Sequence, residues 1–277
     1  MIRTVSLPDG ATVPALGQGT WRMGEDSRTR RQEMAALKLG VELGMTLIDT
    51  AEMYGDGGAE ELIGEALGDR RDDLFLVSKV YPQNAGRGRI ERACEASLKR
   101  LKTDRLDLYL LHWRGSVPLA ETVEGMEALV ATGKILRWGV SNLDADDMQE
   151  LMDAGGEACA TNQVLYNITE RGPEFGLMPM LRRSRIPVMA YSPIGQGRLP
   201  RSAALSAVAK RHGATEFQIA LAWAMRDPDV IAIPKAGSEA HVRDNRAAAD
   251  IALTPQDLAE LDADFPPPKR RTPLAMI

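Results

Sequence analysis

Eight short runs of aliphatic and β-branched residues, separated by longer charged segments of helical periodicity, recur from about residue 15 almost to the end of the chain. The runs are Ala15–Gly17, Thr46–Ile48, Leu74–Ser78, Leu106–Leu111, Leu136–Val140, Ala160–Gln163, Pro187–Ala190 and Val230–Ile233. Strands covered by helices on both faces read as unbroken apolar stretches, so this alternation predicts parallel βα units. In the clearest intervening segment, Arg87–Leu101, residues Ile90, Ala93, Cys94, Leu98 and Leu101 share one helical face. Thr29–Leu43, Glu121–Ala131 and Phe217–Met225 read the same way, and Asp144 is a candidate N-cap for a helix running through Leu151. Upstream, Thr4–Leu7, a Pro8-Asp9-Gly10 turn and Ala11–Pro14 predict a hairpin too short to stand alone, which plugs one end of the larger unit.

A chain of 277 residues fits two average domains or one α/β barrel. No Gly/Ser tract or charge run separates two periodic blocks, so one domain spanning residues 1–277 is expected. The tail Pro266-Pro267-Pro268-Lys269-Arg270-Arg271 reads as an extended closing segment rather than a basic interaction motif. A net charge of −5 offers no footprint for nucleic acid. Cys94 and Cys159 form neither a disulfide framework nor a zinc-spaced cluster, and no metal is expected. Met1–Gly10 holds no signal-like apolar run and the apolar stretches are strand-sized, so a soluble cytoplasmic protein without membrane partners is expected. Nothing sets the oligomeric state, and a monomer is compatible with the sequence.

The apolar runs terminate in turn at Gly19-Thr20-Trp21, Asp49, Lys79, His112, Ser141-Asn142, Gln163, Tyr191-Ser192 and Lys235, spaced by about one βα unit. Strand C-termini of a closed barrel all point at one mouth, whereas an open sheet would spread these residues along an edge at about 4.8 Å per strand. The polar series therefore favours a (β/α)8 TIM barrel. Singly, Asp49 reads as a cap, Lys79 as a surface lysine, His112 as a core histidine and Tyr54 as a loop aromatic. Together they make a carboxylate and a lysine on neighbouring strands, with a tyrosine able to reach back to the lysine. A cation beside a phenol predicts a pKa lowered from about 10 towards working pH, which makes a general acid. No Gly-x-Gly-x-x-Gly follows a strand with an acid about 20 residues later, so a Rossmann unit is not supported.

In these residues the chain resembles the aldo-keto reductases. The likeness runs nearly end to end, through Gly17-Gln18-Gly19-Thr20-Trp21, Leu47–Gly55, Val77-Ser78-Lys79-Val80, Leu110-Leu111-His112-Trp113, Gly139-Val140-Ser141-Asn142, Thr161-Asn162-Gln163, Ala190-Tyr191-Ser192-Pro193 and Ile233-Pro234-Lys235. In Ala51–Gly64, Val77–Ala85 and Ala93–Leu101 it is most similar to bacterial members that reduce methylglyoxal, other small ketoaldehydes or diketo sugars. The resemblance implies a barrel with an N-terminal hairpin and NADPH-dependent reduction of small aldehydes and ketones. Its catalytic tetrad is Asp49, Tyr54, Lys79 and His112, with Tyr54 the proton donor and His112 a neutral hydrogen-bond donor to the carbonyl.

By the same resemblance Ser141, Asn142 and Gln163 hold the nicotinamide amide, Tyr191 stacks on its ring, and Thr20 and Asp49 lie near its ribose. Ser192 and the loop Ile194–Gly197 follow the pyrophosphate, Lys235 and Ser238 take the 2′-phosphate, and Asn245 the adenine. Ala236 and His241 stand where the family often has serine and arginine. Histidine lacks the fixed guanidinium fork, with Arg243 a candidate substitute, so NADPH is expected and NADH is left open. Trp21 and Trp113, and more weakly Met53, are expected walls of the substrate pocket. The competing readings are a lyase or aldolase with Lys79 as Schiff-base nucleophile, and a non-enzymatic nicotinamide-binding regulatory subunit.

Overall fold

The computed structural model describes residues 1–277. β1 (Thr4–Ser6) and β2 (Thr12–Pro14) pair antiparallel with Val5 opposite Val13. Eight parallel strands follow: β3 (Gln18–Gly19), β4 (Leu47–Asp49), β5 (Phe75–Val80), β6 (Leu108–Leu111), β7 (Trp138–Ser141), β8 (Asn162–Leu165), β9 (Val188–Tyr191) and β10 (Val230–Ala232), each beside the next in chain order. The ends meet. Leu16 bridges Ala232 and Gly19 bridges Lys235, while Gly17 N donates to Ala232 O at 2.9 Å and Gly19 N to Pro234 O at 3.1 Å. The sheet thus closes into the expected (β/α)8 barrel.

The first expected strand is displaced. Residues 15–17 join the hairpin to the barrel, and pairing to β4 starts only at Gln18, opposite Ile48. The expected helices form as α1 (Arg30–Glu42), α3 (Ile90–Leu101), α4 (Leu119–Ala131), α5 (Ala145–Asp153) and α8 (Glu216–Ala224). Asp144 caps α5 in a reciprocal capping box with Asp147. The remaining helices are α2 (Gly58–Leu67), α6 (Leu177–Arg183), α7 (Ala203–His212), α9 (Glu239–Ala248) and α10 (Pro255–Asp264). α7 is inserted before α8, which explains the long interval from Tyr191 to Lys235.

Two-residue parity sets what faces inward. Leu47, Val77, Leu108, Leu110, Met189, Ile231 and Ile233 fill the barrel interior, together with Val5, Leu7 and Val13 of the hairpin, which closes its base. Ile48, Leu76, Tyr109, Leu111, Val140, Val164 and Val188 face outward onto the helices. Asp49, Lys79, His112 and Tyr191 each lie two residues beyond an inward apolar residue, so they form a polar layer above a dry plug.

Gly139 in β7 sits within that interior, where an added Cβ would lie 2.6 Å from Thr161 O and 3.0 Å from Leu110 Cδ2. Backbone cannot yield as a side-chain tip can. Gly139→Ala is expected to lower unfolding free energy by about 1–3 kcal/mol in urea titration; unchanged stability would show that the barrel wall gives way freely.

Candidate active site

Lys79 is fully buried, and its ammonium makes three contacts: Asp49 Oδ2 at 2.8 Å, Thr50 O at 2.8 Å and Tyr54 OH at 3.0 Å. An ammonium has three N–H donors and no acceptor, so all three are used and Tyr54 oxygen must accept. The phenol's own hydrogen is therefore free to point elsewhere. Asp49 Oδ1 accepts from Gln163 Nε2 at 2.7 Å, across the barrel, and Asp49 O accepts from Thr20 Oγ1 at 2.9 Å.

Tyr54 is brought back over the strand ends by a tight turn after β4. Gly55, Asp56 and Gly57 all take positive φ, at 58°, 51° and 93°, and Glu52 Oε1 fastens the turn by accepting from Tyr81 N at 2.7 Å. Glycine at two of these three positions relieves the strain of left-handed backbone. The imidazole of His112 meets the Tyr54 ring edge-on, with centroids 5.9 Å apart.

Burial penalises charge on Lys79, but Asp49 and the Tyr54 oxygen outweigh it and hold the pKa above the ordinary lysine value. For Tyr54 the expected direction is reversed. Burial raises the phenol pKa, and the pull of Lys79 offsets this only in part. The group is consequently a fully protonated phenol at neutral pH. Burial first, and Lys79 second, press the His112 pKa down to about 2, so its ring is neutral. His112 Nδ1 is buried without a partner.

Above this cluster lies a cavity of about 570 Å³. It is lined by Thr20, Asp49, Tyr54, His112, Ser141, Asn142, Gln163 and Tyr191 at the strand ends. Ser192, Ile194, Gly197, Lys235, His241 and Asn245 continue it outward, and Trp21 and Met53 form part of the wall. Three expected residues stand apart from the lining. Lys79 is sealed beneath it, Ser238 caps α9 by accepting from His241 N at 3.4 Å, and Trp113 packs edge-on against Tyr81 with centroids 5.8 Å apart, beside His112. Several amide groups already hold one another. Tyr191 OH donates to Asn142 Oδ1 at 3.0 Å, Asn142 Nδ2 donates to Ser141 Oγ at 3.1 Å, and Ser141 Oγ donates to Gln163 O at 2.9 Å.

Arg22, Arg198, Phe217 and Ile277 also line the cavity, beyond the residues expected from the sequence. Arg22 had a signal in its neighbour Trp21, over whose ring its guanidinium lies at 4.6 Å. Ile277 had none, because its position depends on how the tail folds back. Arg271 pairs with Asp144 at 3.0 Å and Asp146 at 2.8 Å, securing that extended segment to the start of α5.

Residues 15–264 match the aldo/keto reductase family. The chain is 53% identical over 281 residues to methylglyoxal reductase YeaE of Escherichia coli (strain K12), covering 99% of each protein. It is 32% identical to glyoxal reductase of Bacillus subtilis (strain 168), over 94% of this chain and 92% of the relative. An aldo/keto reductase from Klebsiella pneumoniae, solved in complex with NADP and acetate, superposes with a TM-score of 0.97 at 54% identity over 100% of both chains. The chain belongs to the aldo/keto reductase family. No helix is long and apolar enough to cross a membrane.

Depression of the His112 pKa from 6.5 to about 2 links stability to pH. Between those values the unfolded chain binds the proton and the folded chain does not, so stability falls as pH drops below about 6.5. His112→Gln is expected to flatten that part of the curve in denaturant titrations from pH 7 to pH 4. Identical pH slopes in the two proteins would show that His112 takes up its proton in the native state.

Proposed function

We propose that this chain is a single barrel enzyme that reduces small aldehydes and ketones to alcohols at the expense of NADPH, with ketoaldehydes such as methylglyoxal as the leading substrates and diketo sugars next. The relatives support the substrate class, since one is a methylglyoxal reductase and another a glyoxal reductase. The observation that carries the mechanism is the exhausted Lys79 ammonium: the Tyr54 oxygen accepts from it, so the phenol hydrogen is free for a carbonyl oxygen in the cavity that Tyr54 lines.

The cavity's residues fit a nicotinamide dinucleotide. Its volume of about 570 Å³ lies in the range of cofactor clefts. Arg22, Arg198 and Lys235 line it without any carboxylate partner, although most arginines elsewhere are paired. Unpaired cations in a cleft suit phosphate groups. Asn142, Gln163 and Ser141 would hold the carboxamide, Tyr191 the ring, and Thr20 and Asp49 the ribose side. Ser192, Ile194 and Gly197 would run along the diphosphate. Lys235, with Ser238 at the start of α9, would meet the 2′-phosphate, with His241 beside it and Asn245 at the adenine. When bound, the cofactor supplies the hydride that reduces the carbonyl carbon.

The protein's own residues handle the oxygen and its proton. Tyr54 gives its proton to the carbonyl oxygen as negative charge develops there, and the fixed ammonium of Lys79 then stabilises the phenolate left behind. Asp49 holds that ammonium in place. His112 is neutral and has Nε2 as its accessible nitrogen, which donates to the same oxygen and orients it. Trp21 and Met53 exclude water at the wall, and Trp113 backs His112. A Schiff base at Lys79 is disfavoured, because its nitrogen has no lone pair while protonated and no access to the cavity.

Tyr54→Phe is expected to lower kcat for methylglyoxal by about 10²-fold or more, with the NADP⁺ dissociation constant unchanged by calorimetry. Wild-type turnover in that variant would remove Tyr54 as the acid, and methylglyoxal-dependent NADPH consumption in wild type separates an enzyme from a regulatory subunit. Lys235→Ala is expected to weaken NADPH about tenfold while leaving NADH unaffected; equal losses for both would move Lys235 away from the 2′-phosphate.

A further inference from the structure

Away from the strand ends the cavity is lined by the start of one helix and the first two turns of another. α8 contributes Thr215, Phe217 and Gln218, and α9 contributes His241, Asp244 and Asn245. Both turns are held in shape. Thr215 Oγ1 accepts from Gln218 N at 3.2 Å while Gln218 Oε1 accepts from Thr215 N at 2.9 Å, a reciprocal capping box that encloses Phe217. Gln218 Nε2 then donates to Asp244 O at 3.2 Å and ties α8 to α9.

Phe217 is left 43% exposed on this rigid turn. The buried side of α8 is already occupied by Ile219, Ala220 and Trp223, and Phe217 joins none of the hydrophobic clusters. Phe175 is the other exposed phenylalanine, and it lies outside the cavity. An exposed aromatic face in one cavity with an amide (Asn245), an imidazole (His241) and a cation (Lys235) is suited to a flat heteroaromatic ring that carries a phosphate. A rigid aromatic also loses little freedom when a ring stacks on it.

We propose that Phe217 is the stacking surface for the purine ring of the dinucleotide, an inference that rests on the cofactor reading above. Asn245 then meets the edge of the base, and His241 closes the niche from α9. Affinity gained this way comes from the adenine, which NADPH and NADH share, and not from the 2′-phosphate. Stacking on Phe217 therefore supports binding of both dinucleotides, and discrimination between them is left to Lys235.

The test is isothermal titration calorimetry of the full-length wild type and Phe217→Ala with NADP⁺, NAD⁺, 2′,5′-ADP and nicotinamide mononucleotide. Loss of one stacked base is expected to weaken NADP⁺, NAD⁺ and 2′,5′-ADP alike by about tenfold, to leave nicotinamide mononucleotide unchanged, and to be restored in Phe217→Trp. Equal binding of the three adenine ligands by wild type and Phe217→Ala overturns the role of Phe217 and leaves the cofactor reading intact. A loss confined to NADP⁺ and 2′,5′-ADP overturns it as well, since that pattern belongs to the 2′-phosphate. Wild-type protein that binds no dinucleotide overturns the cofactor reading itself.

Discussion

A lysine ammonium without water contact is tolerated only where every donor is matched, because removing a charge from water costs several kcal/mol. Lys79 meets that condition with one carboxylate, one carbonyl and one phenol, and the rest of the structure is arranged around it. Asp49 stands on the neighbouring strand and Thr50 continues it, so the parallel register of β4 with β5 supplies two of the three acceptors. The third comes from the left-handed turn that returns Tyr54 to the barrel mouth. Taking away one acceptor would leave a buried donor unmatched, which is why these positions act as one unit.

The cluster depends in turn on barrel closure. Gln163 of β8 reaches Asp49 of β4 across the interior, so the carboxylate is gripped from opposite walls. That contact exists only because the strands form a ring, and the ring is completed where Gly17 and Gly19 run close beside β10. Beneath it the hairpin and inward aliphatic residues exclude water from below. The same dryness raises the Tyr54 pKa and keeps His112 neutral, so the chemistry of the mouth follows from the packing under it.

Much of this was legible along the chain. The parity of each apolar run shows which terminal polar residue faces inward, and Asp49, Tyr54, Lys79 and His112 are brought together as expected. The helix faces and the Asp144 cap were equally readable because they depend on local periodicity and a local hydrogen bond. The start of the first strand was not, since residues 15–17 are as apolar as a strand but pair with β10 by a single bridge. The direction of the Tyr54 shift was also hidden. Proximity to a cation could be read from spacing, while the depth of burial that outweighs it depends on what packs overhead. Phe217 was read correctly as part of a helix, yet its exposure beside α9 is a fact of how α8 and α9 meet.

Residue order along the chain suffices for the eight units, the alternation that makes them parallel and buried, and the residue types delivered to one mouth. These are properties of single elements, set by side-chain periods of 2 and about 3.6 residues. Tertiary structure alone decided which polar groups are spent on one another and which remain open. The Gln163 amide nitrogen is committed to Asp49, Lys79 is sealed under the cavity, Arg22 and Lys235 face it without a carboxylate partner, and Phe217 lines it outside every hydrophobic cluster. The physical reason is that hydrogen-bond satisfaction and desolvation depend on distances between residues far apart in the chain, which no local pattern encodes.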